Sequence, residues 1–425
     1  MKRLSIVIIL LFVAHAQAQN TAAPTPPMGS DNWYWEFEQH QPSIRPTEAI
    51  MKAQADAMVS TGLAVLGYKY VIVDAGWNQR TGGLQVGIPA QFPSGIPALA
   101  DYIHGKGLLF GLYSSPNTNT CSGDSGVFPG SLGFEATDAN TFFNVMHADY
   151  LKYDFCSVDQ IHDPNEQANY QTMGNMLVGL DHPVAYDIST KDETPPIPPT
   201  YFEAVQGTNV LTAIDIGEVT MDQRLYVDDW AALRPYQNKG HWLNPDMLMC
   251  GLNVNMPGYS GPGTPVTDVQ CRTQFSHYAI LAAPLIIATD LAAMSASTLA
   301  TYSNAEVIAV NQDSLGVMGF RVSQTACGST FCEVWARQLH DGWAVELINR
   351  DTAVAHSITV SWSSFGLSGN QNMRDLWSHA YIGSSSSGYT AVAAPSYNAI
   401  MLKLTPVAAH TGAQGGRING NTRIQ

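Results

Sequence analysis

Eight short, almost continuously apolar runs punctuate the chain up to about residue 290, and they limit its fold more than any other feature. They are Met28–Trp33, Tyr68–Asp74 (YKYVIVD), Leu108–Tyr113 (LLFGLY), Tyr150–Asp154 (YLKYD), Val184–Asp187 (VAYD), Asn209–Asp215 (NVLTAID), Trp242–Asp246 (WLNPD) and Ala283–Thr289 (APLIIAT). A strand with one wet face alternates apolar and polar residues, whereas a strand covered on both faces does not. Longer helical or loop segments separate the runs, so the repeating unit is β/α and the sheet parallel. Eight such units predict a (β/α)8 TIM barrel, in the α/β class, rather than a doubly wound sheet.

Asp74, Asp154, Asp187, Asp215 and Asp246 each close one of these runs. In a barrel the carboxyl ends of the strands converge on one face, where active sites form. A single Asp so placed reads as a turn or helix-cap residue. Five in successive units predict a carboxylate-lined pocket.

After Val310-Asn311-Gln312-Asp313 the texture changes to short alternating segments such as EVWARQL, WAVELIN, HSITVSW and YNAIMLKLT. That pattern predicts a C-terminal antiparallel β-sandwich over residues 317–406, after a barrel over 19–316. The polar, Gly- and Asn-rich tail 407–425 has little to bury and is expected to be disordered. Residues 1–18 (MKRLSIVIILLFVAHAQA) read as a secretory signal peptide, with Lys2 and Arg3 before a short apolar run and Ala16-Gln17-Ala18 at the cleavage site. Export to the periplasm or the extracellular space is expected. No later stretch is long and apolar enough to span a membrane. A net charge of −15 without a basic run excludes nucleic acid and anionic membrane as partners. Monomer and homo-oligomer both stay open.

Six cysteines, Cys121, Cys156, Cys250, Cys271, Cys327 and Cys332, suit an oxidising compartment. Sequence alone allows fifteen pairings. No cysteine or histidine spacing suggests zinc, so no metal is expected. His241, His277 and the other histidines read as ordinary polar residues.

Two carboxylates on opposite sides of a glycosidic bond suffice to hydrolyse it, with no cofactor. At a separation of about 5–5.5 Å one attacks the anomeric carbon while the other protonates the leaving oxygen. Further motifs choose among the candidate acids. TPPMG followed by Trp33, YVIVDAGW (70–77), GLLFGLYSSPNTNTCSG (107–123), DYLKYDFC (149–156), NPDML (244–248), AAPLIIATDL (282–291) and VIAVNQDSLGVMGFRV (307–322) occur in this order. Together they resemble glycoside hydrolase family 27, the α-galactosidase and α-N-acetylgalactosaminidase family, over nearly the whole chain after the leader.

The resemblance implies a retaining, exo-acting glycoside hydrolase with a carbohydrate substrate. It puts Asp154, in YLKYDFC, at the nucleophile position and Asp215, in AIDIGE, at the acid/base position. Trp33 and Tyr113 match pocket-lining aromatics, and Asp74 matches a carboxylate that holds sugar hydroxyls. Lys152 lies two residues before Asp154, on the same strand face, where an ammonium supplies the counter-charge a carboxylate nucleophile needs. Cys121 and Cys156 match a family disulfide near the active site. Proximity and elimination then leave Cys250–Cys271 and Cys327–Cys332.

The departures concern the sugar. Where the family has two adjacent acids, the second is Ala75, and the Cys after it is Gly76. The family's fifth-strand Cys-Glu pair appears as Ile188 and Ser189, and its sixth-strand Trp-Arg as Val210 and Leu211. The Glu and Arg that reach the sugar's 2-hydroxyl in α-galactosidases are therefore both replaced. A site stripped of such hydrogen bonds becomes more permissive. The alternatives are α-N-acetylgalactosaminidase, β-L-arabinopyranosidase and isomaltodextranase-like specificities, with Asp187 and Glu218 as replacement contacts. Asp246 reads either as a pocket residue or as a support for the seventh loop. Transglycosylation through the same intermediate is compatible with these residues. A non-catalytic carbohydrate-binding protein is disfavoured, because both acids are retained.

Overall fold

The computed structural model describes residues 22–33, 45–121, 128–155, 166–189, 210–215, 234–254, 264–328, 330–395 and 397–407; at Ser189 and residues 210–215 the description covers the backbone. The leader 1–18, Cys156, Glu218 and the tail after residue 407 lie outside the described residues.

Eight parallel strands follow one another in chain order: β1 (Met28–Asp31), β2 (Tyr70–Val73), β3 (Leu109–Ser114), β4 (Tyr150–Asp154), β5 (Val184–Ser189), β6 (Val210–Asp215), β7 (His241–Asn244) and β8 (Leu285–Ile287). Each pairs with its successor from β1 to β7, and β8 pairs with β1. Between β7 and β8 the ring is closed by Leu248. Its N–H donates to the Ile286 carbonyl at 2.7 Å, and its own carbonyl accepts from Ala288 N–H at 3.0 Å.

The apolar runs divide by alternation between two cores. Val71, Val73, Phe110, Leu112, Leu151, Tyr153, Tyr186 and Ile188 face outward against the surrounding helices. Tyr70, Ile72, Tyr150, Ala185, Trp242 and Ile286 face the barrel interior. Close approach inside the ring requires glycine at two positions. A Cβ on Gly29 would stand 2.3 Å from the Tyr70 carbonyl oxygen, and one on Gly111 would stand 2.8 Å from Ile72 Cγ1. The outer helices include α1 (Glu48–Ser60), α2 (Ile96–His104), α3 (Glu135–Ala139), α4 (Glu166–Val178), α5 (Asp268–Leu281), α6 (Ala296–Tyr302) and α7 (Ala305–Asn311). Side-chain caps from Thr47, Thr267, Ser295 and Asn304 satisfy N–H groups at the starts of α1, α5, α6 and α7.

Among the strand ends that differ from the sequence reading, those of β5 and β7 shift by two residues and displace a candidate acid from the strand end. β5 runs on to Ser189, because it stays paired with both neighbours to that point, so Asp187 sits one inward position below the strand end. β7 stops at Asn244 rather than Asp246. Pro245 has no N–H to give the ladder, and Asp246 turns into the left-handed region with φ 69°. Asn244, not Asp246, is therefore the inward residue at that strand end.

The C-terminal layer is antiparallel: β9 (Phe320–Cys327), β10 (Thr330–Leu339), β11 (Gly342–Asn349), β12 (His356–Ser361), β13 (Gln371–Asp375), β14 (Ala380–Ser385), β15 (Gly388–Ala393) and β16 (Asn398–Pro406). Six strands form one sheet in the order β9-β10-β11-β16-β13-β14, and β12 pairs with β15. The two sheets enclose Val334, Val345, Leu347, Ile358, Val360, Trp362 and Leu402. Helix α5 joins this layer to the barrel and is buried from Thr273 through Leu281. His277 Nδ1 lies 2.8 Å from buried Glu346, with its ring edge-on to Trp335, rather than at the surface. Trp377 donates to Ser276 at 2.9 Å, and buried Arg337 donates to the carbonyls of Ala279 and Asn311.

Cys250 and Cys271 are bonded, tying the segment after β7 to α5, and Cys327 and Cys332 are bonded across the β9–β10 hairpin. Cys121 is disulfide-bonded, while its expected partner Cys156 lies outside the described residues. Among the described residues no helix is long and apolar enough to cross a membrane.

Because a Cβ at residue 29 collides with backbone rather than with a movable side chain, Gly29→Ala is expected to destabilise the barrel by about 1–3 kcal/mol or more. Gly82→Ala meets open space at φ 60° and is expected to cost about 1–2 kcal/mol. Urea unfolding midpoints of the two variants and the wild type test the order; an unshifted Gly29→Ala midpoint contradicts the packing account.

Candidate active site

At the carboxyl ends of the strands the inward positions change from apolar to ionisable. The register arranges them in two tiers. Tyr113 of β3 pairs with Lys152 of β4, which pairs with Asp187 of β5, which pairs with Ala213 of β6. Two residues further along each strand, Asp154 pairs with Ser189, Ser189 with Asp215, and Asp215 with Asn244. Asp154 and Asp215 thus end alternate strands at the same height, with only Ser189 between them. Asp74 follows β2 directly, and Asp31 ends β1 with Trp33 half-buried beyond it.

Among the described residues one ammonium serves this mouth. Lys152 Nζ lies 3.2 Å from Asp74 Oδ2 and 6.0 Å from the centre of the Tyr113 ring. Burial disfavours its charge, but Asp74, Asp31, Asp154 and Asp246 more than offset this and hold the ammonium well above its ordinary range. Asp74 Oδ1 accepts the N–H of Ala75 at 2.6 Å, and the N–H of Asp74 donates to Asn32 Oδ1 at 2.8 Å. The Tyr113 hydroxyl is raised well above its usual range, by burial first and then by the charge of Asp154, to which it is hydrogen-bonded. It is therefore a donor to that carboxylate.

Asp187 is differently placed. Its Oδ2 accepts from the Tyr150 hydroxyl and, at 2.9 Å, from Asn244 Nδ2. Burial pushes this carboxyl up to about 7; Tyr150, Lys152 and Asn244 oppose the shift, and the charge of Asp154 adds to it. Asp31 is raised well above the carboxylate range by burial and then by neighbouring Asp74, against the pull of Lys152.

The fold thus gathers Trp33, Asp74, Tyr113, Lys152, Asp154 and Asp187 at one mouth, with the Ser189 and Asp215 backbones at the same rim. Glu218 lies outside the described residues. Asp246 combines its two sequence readings: its N–H is held by Asn244 Oδ1 at 3.0 Å, and its charge supports Lys152. Sequence reasoning missed Asp31, Tyr150 and Asn244. Strand alternation was the available signal, since they precede Trp33, Lys152 and Asp246 by two residues each.

Residues 25–313 match the family model described as alpha galactosidase A, and residues 329–404 match the alpha galactosidase C-terminal beta sandwich domain. The chain is 38% identical over 370 residues to an α-galactosidase of Cyamopsis tetragonoloba, covering 85% of this chain and 82% of that protein. It is 39% identical over 388 residues to an α-galactosidase of Coffea arabica, covering 90% of this chain and 94% of that protein. The crystal structure of α-galactosidase I from Mortierella vinacea superposes with a TM-score of 0.72 at 26% identity, covering 92% and 99% of the two chains.

The raised carboxyl of Asp187 makes stability depend on pH in one direction. Below the ordinary value of 3.8 both folded and unfolded chains hold its proton; between there and about 7 only the folded chain does. The stability carried by the protonated group is therefore full at low pH and is lost as pH rises to about 7. Asp187→Asn cannot ionise and lacks this loss. The melting-temperature difference, variant minus wild type, is expected to move in the variant's favour across that window and then level off. Thermal melts of both proteins against pH measure it; a constant difference contradicts the assignment.

Proposed function

The chain belongs to the α-galactosidase family of glycoside hydrolases, family 27, and from that premise we propose that it is a retaining, exo-acting glycosidase on α-galactoside-type linkages. The observation that carries the mechanism is the Asp154–Ser189–Asp215 register. Two strand spacings of roughly 4.8 Å separate the backbones of β4 and β6. Two carboxylates borne on strand ends at that spacing can flank one glycosidic bond.

In the first half-reaction Asp154 attacks the anomeric carbon, and Asp215 gives its proton to the leaving glycosidic oxygen as that bond breaks. In the second, Asp215 takes a proton from water, whose oxygen displaces Asp154 and releases the sugar with its anomeric configuration retained. Lys152 and Tyr113 orient the Asp154 carboxylate, one by charge and one as a hydrogen-bond donor. Asp74 and Trp33 line the sugar's side of the mouth. The disulfides support an exported protein, since such bonds persist in oxidising compartments.

Ala75, Ser189 and Leu211 favour a second reading at the level of the sugar. Each lost charged hydrogen bond removes about 1.5–3 kcal/mol of substrate contact. The natural sugar would then differ from plain galactose at its 2-position or in its hydroxymethyl arm, with Asp187 and Glu218 as replacement contacts.

For the mechanism, Asp154→Ala is expected to lower kcat by about 10³-fold or more. A 2-fluoro glycosyl fluoride is expected to label Asp154, seen by peptide mass. The first product, followed by NMR, is expected to keep its anomeric configuration; an inverted first product rules out the retaining scheme. For specificity, kcat/KM is compared among nitrophenyl α-galactoside, α-N-acetylgalactosaminide, β-L-arabinopyranoside and isomaltosides. The plain galactoside is expected to trail the best substrate by about 10²–10⁴-fold. If it is cleaved fastest, at ~10⁴ M⁻¹s⁻¹ or better, the second reading is wrong and the three replacements are neutral.

A further inference from the structure

Asp31 has no part in the mechanism above, yet it is buried at the end of β1 beside the Asp74–Lys152 ion pair. Its Oδ1 accepts the N–H of Trp33 at 2.9 Å, which fixes the carboxyl plane from the backbone. Its side chain is also within hydrogen-bonding contact of Asp74. Two carboxylates cannot hydrogen-bond each other, because each only accepts; one must carry a proton.

The neighbouring contacts decide which one. Asp74 Oδ1 already accepts the N–H of Ala75, and Asp74 Oδ2 faces the Lys152 ammonium. Both Asp74 oxygens are therefore placed as acceptors. Its buried Oδ2 lies 3.2 Å from the Lys152 ammonium but in no well-directed hydrogen bond. A proton on Asp31 supplies a further donor to the Asp74 carboxylate. The charged and titratable groups around Asp31 are Asp74 at the exit of β2 and Lys152 and Tyr150 on β4; on its other side β8 is apolar along its paired length, Leu285 to Ile287.

We infer that Asp31 is a positioning residue: a neutral carboxyl that donates its proton to Asp74 and so fixes the Asp74–Lys152 pair beneath the nucleophile. The inference rests on the reading of Asp154 and Lys152 given above. Asp31 lies across the β1–β2 ladder, one level below Asp74, since its register partner is Ile72. A charged acid there would compete with Asp154 for the Lys152 ammonium, whereas a protonated one strengthens the scaffold without adding charge.

The test uses the full chain and the best substrate from the glycoside panel. Asp31→Asn keeps the size and a donor but cannot ionise, and it is expected to hold kcat/KM within about threefold of the wild type. Asp31→Ala removes the donor and is expected to lose about 10²-fold, as a misplaced Asp74–Lys152 pair would. If Asp31→Asn folds with an unchanged melt but loses as much as Asp31→Ala, the ionised acid is the working form and the inference is overturned. Infrared difference spectra between wild type and Asp31→Asn at neutral pH provide a readout that does not depend on activity or on the alanine variant folding. A protonated-carboxyl band present in the wild type and missing in the variant is expected; its absence from the wild type overturns the inference. If no glycoside is cleaved, or Asp154→Ala leaves cleavage intact, the functional reading fails while the infrared result still decides the protonation of Asp31.

Discussion

Among the described side chains one buried ammonium, Lys152, shares the mouth of the barrel with five aspartates, Asp31, Asp74, Asp154, Asp187 and Asp246, and the rest of the site follows from that imbalance. Buried charge is tolerated only where it is paired and hydrogen-bonded. Asp74 takes the ion pair, and Asp154 shares the same cation with a donor from Tyr113. The remaining negative charge is reduced by proton uptake, to which burial pushes both Asp31 and Asp187. Neutral donors complete the arrangement: Tyr150 and Asn244 on Asp187, the Trp33 N–H on Asp31. The site is thus a distribution of protons among acids as much as a set of side-chain positions.

The barrel supplies the register that makes this distribution possible. Parallel pairing sets Lys152 beside Asp187 and Asp154 beside Ser189, so the ammonium lies one tier below the proposed nucleophile. From the lower tier Lys152 and Tyr113 support the Asp154 carboxylate, one by charge and one by a hydrogen bond. A shift of one residue in β4 would turn Lys152 and Asp154 outward and bring Leu151 and Tyr153 into the interior. The outward apolar residues of β4, buried against the helices, oppose that shift.

Much of this was legible in the sequence, for a physical reason. A strand buried on both faces leaves an apolar run with no polar alternation, so all eight barrel strands could be located. Their ends were harder to read, because a strand stops where its neighbours stop pairing, and that is set elsewhere in the chain. Asp187 looked terminal in VAYD, but pairing carries β5 two residues further. Asp246 looked terminal in WLNPD, but Pro245 breaks the ladder first. Asp31 escaped notice because it lies inside the run Met28–Trp33 rather than at its end, and only the ring shows it buried. His277 reads as an ordinary polar residue, since nothing local to α5 reveals that a second layer covers it. The family motifs pointed to Asp154, Tyr113 and Asp74, and strand alternation to Lys152.

Helix α5 belongs to two cores at once: Phe275 and Tyr278 pack into the barrel side, while His277 and Ser276 are held by Glu346 and Trp377 of the C-terminal layer. No cut through the chain can separate the two layers without leaving one side of this helix bare. Recombination between relatives therefore faces a seam that does not coincide with the linker. Swapping everything after α7 would exchange Arg337, Glu346 and Trp377 while leaving their partners behind, so the heritable unit is the barrel helix together with the sheet that covers it.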